Sequence, residues 1–285
     1  MDRILVATDF STRSDRALQR ATLIAGRGGA ALTLLHVVDG DRPSRLIASE
    51  EAAARSLLEE IARTVRETDG VEAEALVTVD DVDTGIIDAA EEVAAQLLVV
   101  GPHRPRFRDV FVGTKVDRVI RRARLPTLVA TRVPSAPYGR TLLALDFDDA
   151  SKSAARAALD LGVFDHTDVI AFHAFDAVGK GMMQRGMVSS EAIDEHVETE
   201  RALAARQMRS FVGELGLPTM GQRVSESSGS PVRSIVDGTS STGADLIVMG
   251  TNQRKGFERM LIGSVAEDVI HHSDHDILIV PVDEG

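Results

Sequence analysis

Gly250–Ser264 reads GTNQRKGFERMLIGS and stands between a short apolar run, Ala244-Asp-Leu-Ile-Val-Met, and a helical stripe made by Val265, Val269 and Ile270. The run before it is short, apolar and β-branched, the pattern of a parallel strand covered on both faces. A glycine closes the strand, a loop with Arg254 and Lys255 follows, and Gly263-Ser264 opens the helix. Such a glycine lets backbone pass close to a ligand, and the free N–H groups of a helix start favour an anion. The stretch reads as an anion-binding junction, with an ordinary βα connection as the alternative. Either way the local order is strand, loop, helix; neither reading names a reaction.

The same punctuation runs through the chain. Arg3 to Thr8 is an apolar run ended by Asp9-Phe10-Ser11. Ala17, Leu18, Ala21, Ile24 and Ala25 then make one helical stripe, stopped by Gly26 and Gly28-Gly29. Ala31 to Val38 reads as a second strand, Leu46 to about Thr68 as a charged helix, and Val71 to Val79 as a third strand. A stripe from Ile86 to Ala94, a fourth strand from Gln96 to Val100 ending at Gly101, a helix from near Thr114 and a strand from Thr127 to Thr131 complete a unit. A second unit opens at Thr141-Leu-Leu-Ala-Leu-Asp146. Asp9 and Asp146 are 137 residues apart, as are His36 and His173; Gly101 and Gly250 are 149 apart, Gly113 and Gly263 150 apart. Offsets that hold within each half and jump once mark a duplication with one insertion. The insertion falls in the Met- and Gly-rich segment Val178 to Val188, and Val133-Pro-Ser-Ala-Pro-Tyr-Gly139 separates units 1–135 and 136–285.

Strands alternating with helices predict, in each unit, a parallel sheet with helices on both faces and a ligand site beyond the strand ends, where strand order reverses. The loops after the first and fourth strands, carrying Asp9 and Gly101 or Asp146 and Gly250, are the candidates.

Composition excludes several classes. A 44% apolar, 27% charged chain of 285 residues is an ordinary globular sequence with room for two cores. It has no cysteine, so disulfides and thiol chemistry are out. A net charge of −12 with one tyrosine and no tryptophan lacks the basic field and stacking residues of a nucleic-acid binder. No run reaches the length of a membrane span, and the amino terminus enters a strand directly, so the expectation is a cytoplasmic protein. No nucleophile elbow, P-loop, paired-histidine metalloprotease or kinase motif occurs.

ILVATDFS at the start, LLHVVD at the second strand, and LIVMGTN, LIGSVAEDVI and DILIVP in the second unit resemble the universal stress protein family in its tandem form, over essentially the whole chain. The resemblance implies two flavodoxin-like (adenine nucleotide alpha hydrolase-like) domains, each a five-stranded parallel sheet. It also implies ATP or AMP as ligand, held by a loop of the form G-x2-G-x9-G-[S/T], with no metal beyond a nucleotide-bound magnesium. Carried over, the second unit supplies Gly250, Gly263, Ser264 and Val265, with Gln253 where the middle glycine belongs. The first supplies Gly101, Gly113 and Thr114, with Arg104 at the middle position and a loop one residue shorter. A Cβ there can block phosphate approach or forbid a positive φ, so both sites are degenerate. The resemblance makes Asp9 and Asp146 contacts to ribose, against a helix-cap alternative, and the backbone at Val37 and Ala174 contacts to adenine. It implies a stress-response protein acting by ligand-dependent interaction with an unknown protein partner, with at most weak ATP hydrolysis. It also implies that the last strands of the units pair within the chain as a pseudo-dimer; a homodimer of the whole chain stays open. The alternative is a scaffold that has lost nucleotide and binds a protein or a small apolar ligand.

His271 and His275, four apart near the last helix, suit its dipole better than a metal. His36 and His173 read as satisfied structural residues. Residues 1–135 hold 19 basic and 21 acidic side chains, the remainder 13 and 23, and nine of the bases lie between Arg104 and Arg132. This basic stretch suits a phosphate, an acidic partner or the other half, or is a solvated face with a few pairs.

Overall fold

A computed structural model of the chain describes residues 1–102, 115–217, 221–227, 229–251 and 263–282. The first half runs β1 (Arg3–Ala7), α1 (Thr12–Gly28), β2 (Ala31–Asp39), α2 (Ser44–Thr64, prolonged by a π turn, Val65–Asp69), β3 (Ala73–Asp80), α3 (Val82–Glu92), β4 (Leu97–Val100), α4 (Lys115–Arg122) and β5 (Thr127–Val129). The second runs β6 (Arg140–Ala144), α5 (Asp149–Asp160), β7 (Asp168–Phe175), α6 (Lys180–Arg185), α7 (Ser190–Glu214), β8 (Gly221–Glu226), α8 (Pro231–Thr242), β9 (Leu246–Thr251), α9 (Ser264–His272) and β10 (Asp276–Pro281). Helix α6 lies in the segment that the repeat offsets mark as inserted.

The strands form one sheet in the order β3-β2-β1-β4-β5-β10-β9-β6-β7-β8. Each half is parallel, and the halves join where β5 and β10 pair antiparallel, Leu128 opposite Leu278. That join removes an exposed edge from each half. It also turns the strand ends of the two halves in opposite directions. Within each half the order reverses between the first and fourth strands, β1 and β4 or β6 and β9.

Two apolar layers cover the sheet. One face packs under α1, α2, α5 and α7, with Ala17, Ala21 and Ala25 from α1 and Ala154, Ala155 and Ala158 from α5 buried against strand residues. The other packs under α3, α4, α8 and α9, including Ile86, Ile120, Ile235 and Val269. The alanine faces of α1 and α5 let these helices lie close to the strands, and one position in each half shows how close. A Cβ on Gly250 would stand 2.1 Å from the carbonyl oxygen of Ala150, and one on Gly101 2.7 Å from that of Arg13. The space at these glycines on the Cβ side is filled by the first turn of a helix. Helix–strand packing by itself thus demands glycine at both positions.

The linker is held from both sides. Asp276, wholly buried on β10, takes the Arg20 Nε at 2.9 Å, the Tyr138 hydroxyl at 2.7 Å and the N–H groups of Thr131 and Arg132 at 2.8 and 2.9 Å. Arg20 stacks over the Tyr138 ring at 4.0 Å and donates to the carbonyl of Ala136.

Candidate functional site

Asp9-Phe10-Ser11 and Asp146-Phe147-Asp148 leave the first strand of each half by the same route. Phe10 and Phe147 take φ values of 58° and 60°, unusual for an aromatic residue. Their rings lie 4.4 and 4.3 Å from those of His36 and His173. Each histidine has Nδ1 2.8 Å from a carbonyl, that of Thr8 or Leu145, so Nδ1 carries the proton and donates. These are the structural histidines expected. Each fixes the turn that aims the aspartate.

The two aspartates then differ. The Asp9 Oδ1 accepts the Ser11 N–H at 3.0 Å. Desolvation pushes this carboxyl up, but the Ser11 hydroxyl and N–H, the Ser14 hydroxyl and Arg13 outweigh it and hold Asp9 below the ordinary value. In the second half Asp148 stands in the place of Ser11, 137 residues on, and caps α5 by accepting the Ser151 N–H at 2.8 Å. The Ser11 hydroxyl is gone, a like charge stands in its place, and Ala150 stands where the first half has Arg13. Desolvation therefore raises Asp146, with Asp148 and Asp176 adding to the rise and His173 opposing it. Among the described residues its carboxylate makes no hydrogen bond, although its N–H donates to the Ser151 Oγ at 2.9 Å.

Asp146 opens into a cleft of about 790 Å³ at the reversal between β6 and β9. Ala174, Gly250, Gly263, Ser264 and Val265 line the same cleft, so one site gathers six of the residues selected from the second unit. Strand β7 outruns β6: the pairing ends at Ala144 opposite Phe172, and the Phe172 carbonyl takes the Leu145 N–H at 2.9 Å. Backbone groups alternate sides along a strand, so the N–H and C=O of Ala174 also point to the β6 side, beyond its end. Val37 stands likewise past the end of β1, where the Leu35 carbonyl takes the Thr8 N–H. Its side chain is larger than that of Ala174, and Gly85 of α3 packs against it.

Helix α9 enters the cleft without a side-chain cap, unlike α1, α5, α7 and α8, which use Ser11, Asp148, Ser189 and Ser230. The Gly263 N–H donates to the Thr251 Oγ1 at 3.1 Å, and among the described residues no side chain caps the N–H groups that follow at the helix start. Gln253, Gly113 and Thr114, with Arg104, Arg254 and Lys255, lie outside the described residues.

Sequence reasoning missed the acidity of this cleft. Asp148, Asp176 and Glu267 line it beside Asp146. The signal was available in the repeat: reading Ser11 against Asp148 shows an added charge, and Asp39 against Asp176 shows a kept one. Of the nine bases in the basic stretch of the first half, three are paired with carboxylates among the described residues: Arg118 and Arg122 with Asp83, and Arg121 with Glu267 of the second half. The histidine pair does not form. Helix α9 ends at His272 and Ser273 turns extended, so His275 falls beyond the helix, next to the Ser273 hydroxyl.

The model of the universal stress protein family matches residues 1–131 and 137–281. The chain belongs to the universal stress protein family. A universal stress protein of Mycolicibacterium smegmatis is 26% identical over 293 residues, covering 97% of this chain and 96% of the relative. Another, from Methanocaldococcus jannaschii, is 31% identical over 144 residues, covering 50% of this chain and 82% of that relative. The crystal structure of a universal stress protein from Archaeoglobus fulgidus shares the fold along 99% of this chain and 98% of its own, at a TM-score of 0.71 and 20% identity. Family membership fixes the two-domain architecture and leaves the ligand to the geometry of the cleft. Among the described residues no helix is long and apolar enough to cross a membrane.

Proposed function

We propose that this tandem universal stress protein binds an adenine nucleotide, ATP or AMP, in the cleft of its second half and works in the cytoplasm by ligand-dependent interaction rather than by turnover. The observation that carries the proposal is the convergence in one cleft of three groups without a side-chain partner among the described residues: the Asp146 carboxylate, the Ala174 backbone and the α9 start. They supply, in that order, an acceptor for ribose hydroxyls, a donor and acceptor for an adenine edge, and N–H groups for a phosphate. The volume lies in the range of small-ligand sites, roughly 300–1,000 Å³. The chain is divided at 135/136 in this reading, and the ligand is confined to residues 136–285.

In the first half Asp9 is occupied by Ser11, and Val37 stands where Ala174 gives room. The reading allows at most weak ATP hydrolysis in the second-half cleft, which Asp146, Asp148, Asp176 and Glu267 line. The carboxylates there are hard oxygen donors of the kind a nucleotide-bound magnesium takes.

One observation favours the second reading, a scaffold that binds a protein or a small apolar ligand. Four carboxylates line the cleft, and they oppose an unaccompanied polyphosphate. Mass spectrometry of small molecules released from the purified, denatured protein separates the readings. An adenine nucleotide near one equivalent supports the first; an apolar metabolite, or no ligand together with no nucleotide binding at millimolar concentration, overturns it.

A further inference from the structure

The join of the halves is built on a local two-fold. Leu128 pairs with Leu278, its own repeat equivalent 150 residues on, while Thr127 faces Ile279 and Val129 faces Ile277, pairs that the same rotation exchanges. The axis therefore passes through the Leu128–Leu278 pair. On the sheet face covered by α1 and α5 this point is a pocket of about 150 Å³, and its apolar lining repeats about the axis. Leu97 and Leu246, 149 apart, and Ile24 and Leu161, 137 apart, join the two central leucines. The pocket is the space left between the end of α1 and the turn after α5, with Pro137 and Tyr138 of the linker against it. It shares no residue with the cleft at Asp146.

Size and polarity narrow what such a pocket takes. The four strand leucines are each at most 2% exposed, whereas Ile24, Leu161 and Val163 are half-buried at its edge. Apolar surface left to water there is a cost that an apolar guest removes. An apolar cavity of roughly 150 Å³ accommodates a molecule of the size of benzene. The side-chain charges around it balance. Arg20 lines the pocket but is spent on Asp276 and on the carbonyl of Ala136, and of the two exposed charges Arg27 is positive and Asp165 negative. A charged guest would have to leave water for leucine side chains without a net counter-charge; a neutral one meets no such cost. Arg27 and His166, both exposed, stand at the rim, so the pocket is reached from solvent.

We propose that this pocket is a second ligand site, independent of what the cleft at Asp146 binds, and that it takes a small uncharged apolar molecule with the bulk of about one aromatic ring. Leucines of both halves form its floor, so the guest binds the joined halves and stabilises the fold by mass action. A guest of this size is held with a dissociation constant of about 1 mM or somewhat below and exchanges freely. It is lost on purification, and the small molecules released from purified protein report on the cleft instead.

The probe is fluorobenzene, followed by its fluorine resonance and by the methyl resonances of leucine-labelled full-length protein. The expected result is saturable binding with or without ATP and magnesium, shifts at the methyls of Leu128 and Leu278, and an unfolding constant lowered about sixfold by about 5 mM probe. Benzoate and benzylammonium should bind at least about tenfold more weakly. Ile24→Phe and Val163→Phe, which fill the pocket from opposite walls, should each abolish the leucine shifts at an unchanged or raised thermal midpoint. The wild-type methyl shifts decide by themselves should either variant fail to fold. No saturable binding at that concentration, binding that leaves Leu128 and Leu278 unmoved, or leucine shifts that persist in both folded variants overturns the proposal. So does displacement of the probe by ATP, which would place it in the cleft, or an equal affinity for either charged ring.

Discussion

Replacing Asp276 by alanine should do more damage than any other single change at the join. Asp276 is 0% exposed and accepts from four donors, one of them the guanidinium of Arg20, itself 4% exposed. Without it, Arg20 becomes a buried cation with no counter-charge, and the Thr131 and Arg132 N–H groups and the Tyr138 hydroxyl lose their acceptor. Breaking a buried pair from one side costs about 3–5 kcal/mol, a factor of roughly 10² to 10⁴ in the unfolding constant. Arg20→Met is the informative control, because the Asp276 carboxylate keeps three neutral donors; its cost should be smaller, about 1–3 kcal/mol. Urea unfolding at pH 7.5 reads both. A loss below about 1 kcal/mol for Asp276→Ala, or a larger loss for Arg20→Met, would refute the view that this carboxylate organises the linker.

Three further outcomes follow from the same structure. Burial holds the Tyr138 phenol well above its ordinary value, with the Asp276 charge adding to the rise and Arg20 opposing it. Its contribution is therefore intact below about pH 10 and lost as pH rises beyond, and Tyr138→Phe should flatten alkaline unfolding between roughly pH 9 and 11. The repeat-equivalent aspartates should respond oppositely. Asp9, held low, adds stability above the unfolded carboxyl value that is lost in acid, whereas ionised Asp146, pushed up, is a cost that appears as pH rises past that value. Asp9→Asn should lower and Asp146→Asn raise the thermal midpoint at pH 7, both differences shrinking toward pH 3, and shifts of the same sign would refute this. Gly250→Ala should cost more than Gly101→Ala in denaturant unfolding, each at least about 1–3 kcal/mol, because the new methyl meets backbone at 2.1 rather than 2.7 Å.

How much of this was legible beforehand depends on the range of the interaction. The strands were, because a parallel strand covered on both faces is written as a short apolar run, and Arg3–Ala7, Ala31–Asp39 and Leu97–Val100 stand within a residue or two of those runs. The duplication was, since equal offsets need no structure. The reason for Gly250 was not, because the Ala150 carbonyl that excludes a side chain is 100 residues away in sequence. Nor was the neighbour of His271, since Asp117 comes from the other half of the chain. The turn geometry of Phe10 and Phe147 repeats, whereas Asp9 and Asp146 differ through two replacements, Ser11 by Asp148 and Arg13 by Ala150, whose effect shows only in three dimensions.

The central claim is that nucleotide is held by the second half. Titration calorimetry with ATP and magnesium on the full chain and on the single variants Asp146→Ala and Asp9→Ala tests it most directly. The account predicts that Asp146→Ala weakens binding at least about tenfold, the loss of roughly one strong hydrogen-bonding carboxylate, while Asp9→Ala leaves it unchanged. Gln253→Gly, at the position where the family's loop carries its middle glycine, should strengthen it. Loss of affinity with Asp9→Ala alone would place the site in the first half and contradict the account.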